Sequence, residues 1–223
     1  MIGRFRMTRN PHHHNHPNQE DVMIAALTLL TALTAGLLAA PAPLTDADRA
    51  ALVTELKASQ QAVVDTVKTL TPEQMTFKPG PDRWSVAECV EHLAATEPML
   101  FGFIDGKVLK TPPASEADRA KVAGKDTGVM ATVTDRTKKF QAPAEIRPNG
   151  RWTGRDALLK AFEDARAKTI EWAQTTKEDL RAHVMSGPGG ELDGFQWMMY
   201  LSGHSRRHLA QMKEVMASPN FPK

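Results

Sequence analysis

The sequence predicts an all-α protein, and three observations carry that expectation. Apolar residues recur at spacings of three and four in four separate stretches, the period of a helix with one buried face. A Ser, Thr or Asp stands ahead of each stretch, where its side chain can accept from the free N–H groups of a first helical turn. Clusters of Gly and Pro fall between the stretches. At 223 residues, 24% of them charged, the chain is long enough for one domain with a sizeable core, and nothing marks a second. The expected division is 1–42, outside the fold, and 43–223, the helical domain.

Residues 1–42 read as a signal peptide with a disordered start. Arg4, Arg6 and Arg9 form a positive region, residues 22–40 are uncharged and rich in Ala, Leu and Thr, and small residues at 39–42 offer a cleavage region. An exported protein, periplasmic or secreted, follows. Glu20 and Asp21 ahead of the apolar run, with Pro41 and Pro43 beside the cleavage region, leave an uncleaved anchor open, and Met23 is an alternative start. His12-His13-His14-Asn15-His16, between Pro11 and Pro17, reads as a disordered tail with adventitious metal affinity.

The first helix is capped by Thr45 or Asp46 and carries Leu52, Leu56, Val63, Val67 and Leu70, ending before Thr71-Pro72. Ser85 with Glu88 three residues on is a capping-box pattern opening the second, whose stripe is Val86, Val90 and Leu93; it should bend or end near Pro98. From Phe103 to Trp152 the chain is irregular, with one short helix expected around 131–140, and a connection this long suggests a flap over a site. The third helix starts near Thr153 and runs to about Thr176. After the turn Ser186–Gly190 comes the fourth, capped by Asp193.

Chemistry concentrates in that last helix. Leu201, His204, His208, Gln211 and Val215 share its inward face, so two histidines one turn apart either satisfy themselves in the core or reach one metal ion together. His92, at the edge of the second helix's stripe, is a third candidate. Two imidazoles from one helix and one from another leave coordination positions open, as in a catalytic site.

The residues Leu70-Thr71-Pro72-Glu73-Gln74, Lys78-Pro79, Trp84-Ser85, Glu91-His92-Leu93, Phe195-Gln196-Trp197 and His204–Gln211 resemble the DinB-like (DinB/YfiT) superfamily over about residues 45–223. The resemblance implies a four-helix bundle. It implies metal ligands at His92, His204 and His208, a divalent ion such as zinc or nickel, and hydrolase-like or thiol S-transferase-like activity. With zinc, nitrogens would lie about 2.0–2.1 Å from the ion.

Around these ligands, Glu88 is the candidate catalytic base or orienting group for His92, unless it only closes the capping box with Ser85. Glu91 should face solvent. Gln211 could hydrogen-bond a ligand or substrate, and either Arg206 or Arg207 could reach an anionic group from an otherwise solvated face. His183 is a structural or surface histidine. Cys89, the single cysteine, forms no internal disulfide and reads as a buried apolar residue. The net charge of +2 leaves no basic stripe for a phosphate backbone, which argues against nucleic acid. Expected partners are a small-molecule substrate, anionic or thiol-containing, a membrane only if the N-terminal segment is uncleaved, and a homodimer as one open arrangement. The competing function is a non-catalytic metal-binding or small-molecule-binding module of stress response.

Overall fold

The computed structural model describes residues 43–187 and 189–223, so the expected signal segment and the His12–His16 tract lie outside the described residues. Four long helices carry the structure: α1 (Asp46–Val67), α3 (Val86–Gly106), α6 (Arg155–Thr175) and α7 (Gly194–Met216). Between them lie short helices α2 (Pro72–Thr76), α4 (Glu116–Val122) and α5 (Asp126–Thr134), with 3-10 turns at Val108–Lys110, Ala144–Ile146 and Leu180–Ala182. No described helix is long and apolar enough to cross a membrane.

The start signals act as the sequence indicates. Thr45, Thr71, Ser85 and Asp193 each accept from the backbone N–H three residues on, while the side chain there accepts from the cap's own N–H. At α6 the expected cap from the Thr153–Asp156 pattern does not form: the helix begins without a side-chain cap, after Gly154 at φ 84°, a conformation glycine adopts at no steric cost.

α1 and α3 each pack against both α6 and α7, which closes a four-helix arrangement with the chain-successive long helices α1 and α3 on a diagonal. Its interior is two apolar clusters. One gathers Val63, Val67, Val90, Leu93, Phe162 and Met212; the other Leu52, Leu56, Ile104, Ile170, Met198 and Leu201. Between them lies a polar layer. Arg166, fully buried, donates two parallel bonds to Glu97 at 2.7 and 2.8 Å, and others to the Leu56 carbonyl, Ser59 and Ser205. All four long helices contribute to this layer. At one end, Arg181 bridges Asp48, Asp126 and Asp193, tying together the first turns of α1 and α5 and the cap of α7.

Three expectations change. Of the two outcomes expected at Pro98, ending does not occur: α3 runs through it to Gly106, although the ring removes a donor from the helix ladder; Leu93, Ala94 and Glu97 before it and Ile104 after it are buried, and that packing outweighs the local cost of about 3 kcal/mol. The connection after α3 holds two helices, α4 and α5, in place of one around 131–140. α5 lies against α7 where Gly203 lets the backbones approach, since a Cβ there would fall well inside contact with Val133. The turn before α7 belongs to an antiparallel hairpin, β1 (Val184–Gly187) with β2 (Gly190–Asp193), Val184 opposite Asp193, so a largely helical domain carries one small sheet.

Candidate metal centre

The capping box at Ser85 fixes where α3 begins, and His92, two turns in, lies between α3 and α7. His204 and His208 project from α7 toward it. One nitrogen from each ring lies within 4.8 Å of the other two, the single such group of His, Cys, Asp or Glu among the described residues. His204 Nε2 is 3.2 Å from His92 Nε2 and 3.1 Å from His208 Nε2. His92 and His208 are buried and His204 is half-buried. Trp84 covers two of the rings, 4.9 Å from His92 and stacked at 5.9 Å on His208, centroid to centroid.

The tautomer of His92 is set by its surroundings. Its Nδ1–H donates to the Ile146 carbonyl at 2.8 Å, and a carbonyl can only accept, so Nε2 of the neutral ring carries a lone pair aimed at the other two histidines. Burial pushes all three pKa values down. It dominates for His92; for His204 burial, then His92 and the nearby arginines, bring the value to about 3; His208 falls well below its usual range for the same reasons. Near neutral pH the site is three uncharged imidazoles crowded nitrogen to nitrogen.

This donor set fits a metal ion. Two nitrogens on one tetrahedral zinc would stand roughly 3.3–3.4 Å apart, close to what is seen. Hydrogen bonding serves the cluster less well, because His204 Nε2 is either a donor or an acceptor and meets two nitrogens, while the buried Nδ1 of His208 has no hydrogen-bond partner among the described residues.

Stability should respond to pH accordingly. Unfolded, these histidines take a proton near 6.5, whereas folded they resist it, so the unfolded chain binds more protons as pH falls and stability is lost below about 6.5. Glu91 adds the same sign lower down: burial raises its carboxyl, but the N–H groups of residues 149–151 and the Arg151 charge outweigh that and hold it below 4.5. The metal-free protein is expected to show a urea midpoint that falls from about pH 7 to about pH 5. Changing His204 and His208 together to Leu should flatten that interval; an unchanged slope would contradict the assignment.

Other candidates take different places. Glu88 accepts from the Ser85 N–H at 2.7 Å and from Lys78 at 2.9 Å, so its carboxylate serves the cap, and Ile146 supplies the acceptor for His92 that Glu88 was expected to provide. Glu91 is buried, not solvent-facing: it accepts from the backbone N–H groups of Asn149, Gly150 and Arg151 and clamps that strap to α3. Arg206 pairs with Glu55. Arg207, buried, donates to the carbonyls of Val133, Asp135 and Lys138 and so holds the connection after α5 over α7. Gln211 accepts from Arg136, which also pairs with Glu214. His183 bonds the Thr111 carbonyl, a structural contact, and Cys89 is buried with its thiol pushed up by desolvation. Helical spacing gives no sign of Ile146 or of the Arg166–Glu97 pair. For Glu91 the one local hint is the turn-forming run Pro148-Asn149-Gly150, which exposes successive N–H groups without naming their acceptor.

A family model described as DinB superfamily matches residues 55–212, a span that includes all three histidines. The chain is similar to YuaE of Bacillus subtilis strain 168, called an uncharacterized protein, with 25% identity over 150 residues that cover 67% of this chain and 87% of that one. Among solved structures it is similar to YfiT from Bacillus subtilis, described as a probable metal-dependent hydrolase with an unusual four-helix bundle topology, at 12% identity and a TM-score of 0.48, covering 78% of this chain and 88% of that one. With most of the described domain inside the family match, and with His92, His204 and His208 gathered within it, the chain belongs to the DinB superfamily.

Proposed function

We propose that His92, His204 and His208 hold a divalent metal ion, zinc or nickel, and that the protein is a metal-dependent enzyme of the hydrolase-like or thiol S-transferase-like kind. The convergence of three neutral imidazole nitrogens, one with its tautomer fixed by a backbone carbonyl, carries this reading. When bound, an ion on three neutral ligands keeps its full charge and lowers the pKa of a water or thiol beside it toward neutrality. The chain's own residues supply the rest. Ile146 orients His92, Trp84 excludes water from one side, and half-buried His204 marks the side from which a small molecule enters.

With Arg206 and Arg207 engaged within the protein, an anionic or thiol group of the substrate would be held by the ion. Residues 1–42 support export, and export favours hydrolysis over thiol transfer, since low-molecular-weight thiols are concentrated in the cytoplasm. The N-terminus of protein recovered from outside the cytoplasm should fall between about residue 40 and residue 44. A start at Met1 or Met23 on soluble cytoplasmic protein would remove this support. One observation favours a second reading, a non-catalytic binding module: Glu88, the candidate base, is taken up by the cap.

Chelation separates the readings. The fold should survive metal removal, because four apolar helical faces close the core without an ion, while turnover of a hydrolytic and thiol-transfer substrate panel should vanish and return with added metal. Loss of helicity on chelation would make the ion structural, and retained fold with no turnover in either state would leave the binding module.

A further inference from the structure

A half-open cavity of about 910 Å³ is bounded by residues 70–78, the first turns of α3, and the strap and helix start from 148 to 158. None of the three histidines lines it. Its volume is that of small-molecule sites, which run to about 300–1,000 Å³. The walls are mostly apolar, with Leu70, Met75, Ala87, Trp152 and Leu158.

The strap that forms one wall of this hollow is held in place from α3. Glu91 does the holding. Its buried carboxylate takes three backbone N–H groups of the strap, at 2.8–3.1 Å, and pins residues 149–151 at the rim.

Charge in the wall is matched internally. Lys78 meets Glu88 at 2.9 Å, Arg155 meets Asp156 at 2.8 Å, and Glu91 is saturated by the strap. Two cations against three carboxylates leave no excess positive charge to draw an anion, and a cation would have to displace partners already in place.

We infer that this cavity is a second binding site, taking a neutral, mainly apolar small molecule with a ring system that packs on Trp152, and that it works independently of whatever the histidines hold. The polar side chains of Asn149 and Thr153 at the wall offer hydrogen bonds that would orient it.

The test uses the full chain and a matched pair of fluorescent probes, neutral N-phenyl-1-naphthylamine and its anionic counterpart 8-anilino-1-naphthalenesulfonate. The neutral probe is expected to bind saturably at one site, the sulfonate at least about tenfold more weakly. Ala87→Phe on α3 and Ala157→Trp on α6, both at the cavity lining, should each weaken the neutral probe at least about tenfold, with helicity checked by circular dichroism. Ala157 is exposed in the first turn of α6, so its variant should fold even if the Ala87 variant does not. His204→Ala should leave probe affinity unchanged, which separates this site from the metal reading. Equal affinity for the two probes, full affinity in a folded, filled variant, or loss of binding in His204→Ala would each overturn the inference.

Discussion

Metal affinity is expected to fall by at least about 100-fold when His204 is replaced by Ala, with the helical circular dichroism retained. Altering a group that merely supports a metal ligand typically costs 10–100-fold, and His204 is the ring whose Nε2 meets both of the others, so its loss should cost at least the upper end of that range. His183→Ala is the control, because that ring bonds the Thr111 carbonyl and has no part in the cluster. Equal loss of bound metal in the two variants, measured by elemental analysis after dialysis, would mean that the ligand set is wrong.

The largest effect on stability is expected at the polar layer. Glu97→Ala would strand the Arg166 guanidinium in a fully buried position with only Ser59, Ser205 and a carbonyl for partners, and removing one member of a buried ion pair costs about 3–5 kcal/mol. For a domain of this size that corresponds to a fall in Tm of roughly 6–20 °C. The double variant Glu97→Leu with Arg166→Met should recover most of the loss, since apolar groups of similar volume need no partners. Thermal denaturation of the two variants decides the matter: a single variant within about 1 kcal/mol of the parent would show that the pair is not the strong coupling its geometry indicates.

What the sequence made legible follows from the range of each interaction. The capping boxes at Thr45, Ser85 and Asp193 are local, with both partners within three residues, and the helix starts stand where those residues indicate. His204 and His208 share one face for the same reason, and His92 enters because its helix is phased by Ser85. Glu91 could not be read that way. Its place next to His92 suggested solvent, whereas the N–H groups that it accepts from belong to a strap about 60 residues later, and no periodicity encodes that partnership. Arg166 and Glu97 are 69 residues apart and polar, so a reading based on apolar spacing places them outside the core they in fact divide. Arg206 and Arg207 looked like a solvated face because the spacing of α7 names neither Glu55 on α1, which pairs with Arg206, nor the carbonyls after α5 that Arg207 holds. The hairpin before α7 was missed because four residues per strand are too few for an alternating pattern to register.

His92 and His204 are separated by 112 positions along the chain, and the carbonyl that orients His92 lies between them. During synthesis the cluster therefore cannot exist until the last helix has emerged and docked, by which time the other three long helices are already available to pack. An ion cannot template such a protein in the way it templates a zinc finger, where ligands close in sequence fold around it. Assembly of the bundle has to come before the three rings can act together. The long-range contact that completes the bundle is then also the step that gathers the histidines, and a chain with α7 undocked would present His204 and His208 as a bare pair without His92.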